Sequence, residues 1–305
     1  MSQQHSSTPG VLKLDGALTV DLEDWQSALL PSGRKRLLQK LVINEQRVSN
    51  VTRMLLCELD KWNTKATFFV LGEIAIAIPE LVREIAAKGH EIASHSPMHV
   101  PIGRINRSTI ESLIHRDTAL LEELAGRRPR GFRAPYFAVG KHDGWLLDIL
   151  SKEGYWYDSS VVPTWTPLYG TPYAPKSAYF PKMSDVGKAA PDGRIVELPV
   201  TVWPSWRNMP GIPVGSGFFL KAWPIQMTMF GLRWNRKSNL PLVLYLHPGD
   251  VDTNKESVDG MSFADSVIQY FGAKHGISNL RILLREFRLT TISEAFSSVL
   301  ETVKK

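Results

Sequence analysis

One cysteine, Cys57, stands in 305 residues, so an intramolecular disulfide and a thiolate metal cluster are both excluded. It falls in an apolar-periodic stretch and reads as a small buried hydrophobe. No uninterrupted apolar run is long enough to span a bilayer. The opening stretch from Met1 to Gly10 has neither the basic region nor the apolar core of a secretory leader, which makes a cytoplasmic or membrane-proximal location the expectation. Strong charge is missing too. Lys plus Arg number 36 against 30 Asp plus Glu, a net +6, and basic clusters such as Arg34-Lys35-Arg36 and Arg127-Arg128 are short. Such a balance describes a solvated surface rather than a polyanion site, and no nucleic-acid-binding motif accompanies it. Internal repeats and low-complexity tracts are absent as well.

What remains is a globular composition, 43% hydrophobic and 22% charged, with enough apolar residues for a sizeable core. Its organisation shows in the order of patterns. Ala17-Leu18-Thr19-Val20-Asp21 reads as a buried strand that ends abruptly in acids, and Thr67-Phe68-Phe69-Val70 as a second. Between them Val48, Val51, Leu55 and Leu59 recur at helical spacing, giving a β-α-β opening. Pro79 suits a first helical turn and Gly89 a helix end before a strand within His90–His95. Ser108 with Glu111 forms a capping-box pattern, and Gly126 ends the helix that follows. Gly131-Phe132-Arg133, a helix near 142–152 and Tyr155–Asp158 continue the alternation. Residues 159–241 are rich in Pro, Gly, Trp and Tyr and read as long irregular loops, with a strand at Ile195–Leu198. A strongly apolar strand, Leu242–Leu246, then ends at His247, and helices are expected over 279–287 and 293–303. Repeated β-α units with acids and histidines at the carboxyl ends of strands describe an α/β protein, a parallel barrel or a doubly wound sheet, with its site on that rim.

Four constellations carry chemistry. Asp21, Glu23 and Asp24 put three carboxylates in four positions, a crowding that a cation would relieve and that a solvated helix-capping turn would also explain. His95 and His99 have an H-x-x-x-H spacing able to reach one ion from a helical turn, and imidazole suits zinc and its first-row neighbours. Arg133-Ala134-Pro135-Tyr136-Phe137 and Leu244-Tyr245-Leu246-His247-Pro248 are weak signals singly, since an arginine often serves a structural ion pair and a histidine often packs or caps. Their order is the informative feature.

That order resembles the motif series of the polysaccharide deacetylase (NodB-type) superfamily, the fourth carbohydrate esterase family. Within it, Thr19-Val20-Asp21-Leu22-Glu23-Asp24 is similar to the first motif of a subgroup associated with exopolysaccharide biosynthesis. The flanking text Lys65–Gly72 and Gly89–His95 matches as well, and the resemblance spans about residues 17–292. It implies a distorted (β/α) barrel with fewer than eight strands. A flexible N-terminal segment is expected over 1–16 and one catalytic domain over 17–305, with 159–241 an irregular insertion that walls the substrate. It further implies one divalent ion, zinc first and cobalt, nickel, manganese or iron as alternatives, bound by His95, His99 and an acid. In the commoner pattern that acid directly follows the base. Leu22 holds that place here, so Glu23 and Asp24 both remain candidates. Asp21 matches the catalytic base, Arg133 the residue that orients it, His247 the general acid and the Tyr136 backbone N–H an oxyanion donor. A further departure is Gly249, where relatives carry Trp. Trp25, Tyr136, Phe137, Trp165, Trp203 and Trp206 are candidates for stacking on sugar rings, although for any one of them a place in the core is the more ordinary reading.

The implied reaction is removal of an N-acetyl group, or less expectedly N-formyl, from an amino sugar or polysaccharide precursor on an unidentified carrier. The rivals are an allantoinase-type cyclic amide hydrolase and a catalytically silent carbohydrate-binding homologue. No nucleic acid partner or transmembrane segment is expected, and the oligomeric state is left open.

Overall fold

The computed structural model describes residues 13–29, 42–166, 169–204, 210–255 and 258–303. The short strands of the alternating region are β1 (Gly16–Leu22), β2 (Thr67–Val70), β3 (Glu91–Ser94), β4 (Gly131–Phe132) and β5 (Tyr157–Asp158). They are followed by β6 (Phe180–Lys182), β7 (Asp185–Ala190), β8 (Val196–Glu197), β9 (Leu242–Leu246) and β10 (Leu289–Thr290). All pairings in the main sheet are parallel, and seven strands form a curled half-barrel in the order β9-β1-β2-β3-β4-β5-β8. The two-residue β10 lies beside the start of β1, and β6 pairs with β7 in a separate antiparallel hairpin. The expected distorted barrel with fewer than eight strands is this seven-strand path. Irregular chain links its free edges, since Thr201 N–H donates to Val243 O at 3.0 Å and Val243 N–H to Thr201 Oγ1 at 2.8 Å.

Alternation along β1 divides its side chains between two environments. Leu18, Val20 and Leu22 pack outward with Leu55 and Leu59 of the helix Glu45–Lys61. Ala17 packs in the interior with Phe69, Ala93, Tyr157 and Val243, and Thr19 and Asp21 on the same side of β1 reach Arg133. The sheet's inner face therefore changes from apolar to ionic as it nears the carboxyl ends of the strands.

The helix punctuation follows the sequence in most places. Pro79 opens the helix Pro79–Ala87, Gly89 lies at φ +80°, and Gly126 caps Arg107–Ala125 in the left-handed region. Several expectations are corrected. The cap of Arg107–Ala125 is Asn106, whose side chain accepts from Ser108 N–H, so Ser108 lies inside the helix rather than at its cap. Cys57 is exposed, because the buried stripe of its helix runs through Val48, Thr52, Leu55, Leu56 and Leu59 and position 57 falls beside it. The expected last helix is two short ones, Ile292–Ala295 and Ser297–Leu300, with a non-helical junction at Phe296. Asp15, within the segment expected to be flexible, accepts from Leu242 N–H and Arg288 N–H, both at 2.9 Å, while residues 1–12 lie outside the described residues. No helix among the described residues is long and apolar enough to cross a membrane.

Candidate metal centre and active site

Glu23 directly follows the carboxyl end of β1, and the loop after β3 carries His95 and His99 to meet it. Ligand atoms of these three buried side chains all lie within 4.8 Å of one another. Glu23 Oε2 stands 2.9 Å from His99 Nε2 and 3.4 Å from His95 Nε2. The His95 Nδ1 lies 2.9 Å from the Arg133 carbonyl oxygen, which can only accept, so Nδ1 carries the proton and Nε2 presents a lone pair to the acid. Glu23 Oε2 is buried without a hydrogen-bond partner. A carboxylate oxygen facing an imidazole lone pair in a buried place needs a proton or a cation between them. Two imidazoles and a carboxylate form a donor set that fits a divalent ion of the zinc type and leaves coordination positions for water and substrate. Burial alone would raise the Glu23 pKa, but His99 and His247 outweigh it and hold the carboxyl well below its ordinary range.

The histidine pair reaches the acid without a helical turn. Ser96 sits at φ 75°, and the carbonyls of Ser96 and Pro97 accept from Gly72 N–H and Glu73 N–H, both at 3.0 Å. This places the loop against Gly72 so closely that an added Cβ there would lie 2.8 Å from Pro97 Cα and 2.4 Å from Asp117 Oδ1. Of the two acids left open by the sequence, Glu23 faces the histidines. Asp24 is engaged elsewhere, its Oδ1 accepting from Trp25 N–H at 2.7 Å and its Oδ2 from Asn44 N–H at 2.9 Å. Asp24 thereby caps the short 3-10 helix Trp25–Ala28, and burial pushes its pKa up.

Beside the triad lies the Asp21–Arg133 pair. Arg133 is fully buried, and its Nη1 donates to Asp21 Oδ1 at 2.6 Å and Thr19 Oγ1 at 2.8 Å. Its Nε and Nη2 donate to the Ser159 carbonyl and hydroxyl, both at 2.9 Å, and the guanidinium lies 4.1 Å from the Phe69 ring centroid. A planar fork held at every edge leaves Asp21 one orientation. Tyr136 and Phe137 both have left-handed backbones, φ 57° and 50°, in the turn after Arg133. The Tyr136 ring packs on His99 at a centroid distance of 4.2 Å, and Phe137 on Tyr245 at 4.8 Å.

His247 enters from the end of β9. Its Nε2 is 3.3 Å from Glu23 Oε1, and its Nδ1 is 3.0 Å from Asp250 Oδ2. Asp250 also accepts from His247 N–H at 2.9 Å and pairs with the buried Lys221 Nζ at 2.7 Å. Burial opposes a charged His247, but Glu23, Asp250 and Asp21 outweigh it and push the imidazole up to about 9.

Sequence reasoning missed three supporting groups. Lys221 and Asp250 are one. Asp158 and Glu197 form another, each closing a strand, with Ser160 Oγ donating to Asp158 Oδ1 at 2.5 Å and accepting from Ala134 N–H at 2.8 Å. Burial pushes Asp158 up to about 6 and Glu197 well above the carboxylate range, with each acid also acting on the other, so the pair carries a proton and braces the Arg133–Tyr136 turn. The third is Asp117, behind the histidine loop, which accepts from Ser94 Oγ at 2.7 Å and which burial pushes up to about 7. Acids ending strands were the available signal for the second group, and none existed for the others.

Asp21, Glu23, His95, His99, Tyr136 and His247 all line one cavity of about 690 Å³. Trp25, Phe137 and Asp24 line it too, as does Trp165, which is 71% exposed. Trp203 instead packs on Phe230 at 5.5 Å, and Trp206 lies outside the described residues, as does Arg34-Lys35-Arg36.

Comparison with known proteins adds to this geometry. Residues 43–157 match the polysaccharide deacetylase family model, and residues 159–297 match a second, a domain of unknown function (DUF3473). The first match holds His95, His99, Arg133 and Tyr136, the second holds His247, and Asp21 and Glu23 precede both. A peptidoglycan-N-acetylglucosamine deacetylase of Bacillus cereus is 38% identical over 85 residues, which cover 28% of this chain and 31% of that protein, so the chain spans less than a third of this relative. A solved Mycobacterium smegmatis protein assigned to the polysaccharide deacetylases shares the fold with a TM-score of 0.61 at 22% identity, over 97% of this chain and 92% of that one. Puue allantoinase shares it with a TM-score of 0.59 at 13% identity, over 100% and 96%. The likeness to the polysaccharide deacetylases is thus one of sequence over residues 43–157, and the solved structures share the fold.

Proposed function

We propose that this chain is a metal-dependent carbohydrate N-deacetylase that hydrolyses an N-acetyl group from an amino sugar, in which Glu23, His95 and His99 hold one divalent ion. The observation that carries the reading is the buried, unpartnered Glu23 Oε2 facing two imidazole nitrogens, in the same cavity as Asp21 and His247. A divalent ion held there would polarise the acyl carbonyl and acidify a water molecule. The chain's own groups supply the rest. Asp21, fixed through one oxygen by Arg133, accepts the proton of the attacking water. The Tyr136 backbone N–H is the candidate donor to the oxyanion that forms on the acyl carbon. His247, with Nδ1–H directed to Asp250, delivers a proton from Nε2 to the departing amine. The Thr19–Asp24 motif supports a place in exopolysaccharide biosynthesis, and zinc is the first choice of ion.

The reading is tested by acetate release from N-acetylglucosamine glycosides with chelator-treated and metal-restored protein. Activity that returns with metal and is lost in His99→Ala supports it, and equal activity with and without metal overturns it. An allantoinase-type reaction is less well supported, because a small cyclic ureide needs neither the cavity's volume nor its long aromatic wall.

A further inference from the structure

The cavity is lined by more than the reactive groups, and one part of its wall is apolar. Ile212, Pro213, Phe218, Phe219, Trp223 and Ile268 line it. The three aromatics pack edge to face, Phe218 on Phe219 at 84° and Phe219 on Trp223 at 74°. A sugar platform needs a flat ring face bordered by hydrogen-bonding groups, whereas rings packed edge to face beside Ile and Pro make a ridged, non-directional surface. The wall also has an outlet. Trp223 is followed by Pro224 and the helix Ile225–Lys237, whose outer face carries Met227, Phe230 and Trp234 at 49%, 53% and 39% exposure. Their spacing of three and four residues puts them on one stripe, beside exposed Lys237 and beside Arg233 and Arg236, which pair with Glu286 at 2.6 Å and 3.3 Å. Phe230 also contacts Trp203, whose backbone pairs with Ile212 of the cavity wall. Through Trp203 the apolar lining of the cavity is thus tied to an exposed amphipathic stripe, the character of a surface that meets lipid.

We propose that the substrate is an amino sugar carried on a long apolar chain, the sugar seated at Asp21 and His247 and the chain lying along Ile212, Pro213, Phe218, Phe219 and Trp223. This rests on the deacetylase reading and names the class of carrier. A polymeric substrate would need polar sugar subsites on both sides of the reactive corner, and one of those sides is the apolar wall.

The test uses the full chain with its metal restored and a series of N-acetylglucosamine glycosides with methyl, butyl, octyl and dodecyl aglycones below their micelle concentrations. Binding is measured calorimetrically in Asp21→Asn, and turnover by acetate release in the unmodified protein. Each buried methylene adds affinity, so the octyl glycoside should bind roughly 10–100-fold more tightly than the methyl glycoside. The gain should shrink to within about threefold in Phe218→Ser and in Phe219→Ser, with methyl glycoside turnover kept. These half-buried side chains leave the fold's core alone, and an unchanged melting temperature checks this. Affinity independent of chain length overturns the proposal, as does affinity that grows instead with the number of sugars in a chitooligosaccharide series. Turnover of the methyl glycoside without a chain-length effect sinks the carrier and leaves the deacetylase standing. A chain-length effect in binding without acetate release from any glycoside sinks the deacetylase and leaves the apolar ligand site.

Discussion

Glu23 and Glu91 are equally buried, each 6% exposed, and sit at opposite ends of the same parallel sheet. Glu91 begins β3 and is fully served. Its Oε2 accepts from Thr67 Oγ1 at 2.7 Å and Ser293 N–H at 3.0 Å, its Oε1 from Tyr157 OH at 2.9 Å and Ser293 Oγ at 2.5 Å. It ties the C-terminal helical turns to the barrel's amino end. Glu23 follows the end of β1 and keeps one oxygen unpartnered against two imidazole nitrogens. Burial of an acid is thus not what marks a site. The mark is an unpartnered carboxylate oxygen set against two imidazole nitrogens, because a satisfied network rigidifies a fold while such a donor set calls for a cation.

The contrast is broken most directly by removing each acid's charge. Glu23→Gln should abolish metal binding, taking bound divalent ion from near one equivalent to near none on elemental analysis, together with activity. Glu91→Gln should retain metal and lose stability by about 1–3 kcal/mol, since an amide cannot accept at all four donors. Loss of metal in Glu91→Gln, or its retention in Glu23→Gln, would erase the distinction.

Asp21→Asn sharpens the comparison within the site itself. It should hold metal normally while kcat falls about 10²–10⁴-fold, the usual contribution of a positioned base. Near-normal turnover would move the base elsewhere. Arg133→Lys tests orientation, because an ammonium cannot reproduce four planar hydrogen bonds, and a small misplacement of the base costs up to about 10²-fold. Metal content should be unchanged, and a rate equal to that of the unmodified protein would reduce Arg133 to a structural ion pair.

The smallest expected effect concerns Asp117, buried like both glutamates and with one oxygen, Oδ1, unpartnered. Its folded pKa is raised to about 7 from an ordinary 3.8. The folded protein therefore holds a proton that the unfolded chain has released between these values, and stability falls as pH rises through that window. Asp117→Asn should raise the melting temperature by roughly 2–4 °C at pH 8 and leave it unchanged near pH 4. An equal shift at both pH values would point to packing instead of charge.

Much of the half-barrel was legible because its signals are local. The apolar run Ala17–Val20 ends in acids, Leu242–Leu246 ends at a histidine, and Pro79, Gly89 and Gly126 punctuate helices as their backbone restrictions require. The histidine pair and the arginine turn were legible as spacings. What was not legible depended on partners distant in the chain. Choosing Glu23 over Asp24 required the Asn44 N–H that engages Asp24, and neither periodicity nor propensity shows a loop amide 20 residues away. The Asp158–Glu197 pair is joined only by the pairing of β5 with β8, and the Lys221–Asp250 pair only by tertiary packing of segments 29 residues apart. Cys57 misled because apolar periodicity gives a stripe but does not say which neighbouring positions lie just outside it.

The central claim is that Glu23, His95 and His99 hold the ion on which deacetylation depends. Titrating zinc into chelator-treated protein while recording acetate release from an N-acetylglucosamine glycoside tests it most directly. The account predicts activity that rises linearly and saturates at one equivalent in the unmodified protein and stays flat in His95→Ala. Full activity before any ion is added, or the same titration curve in His95→Ala, would contradict it.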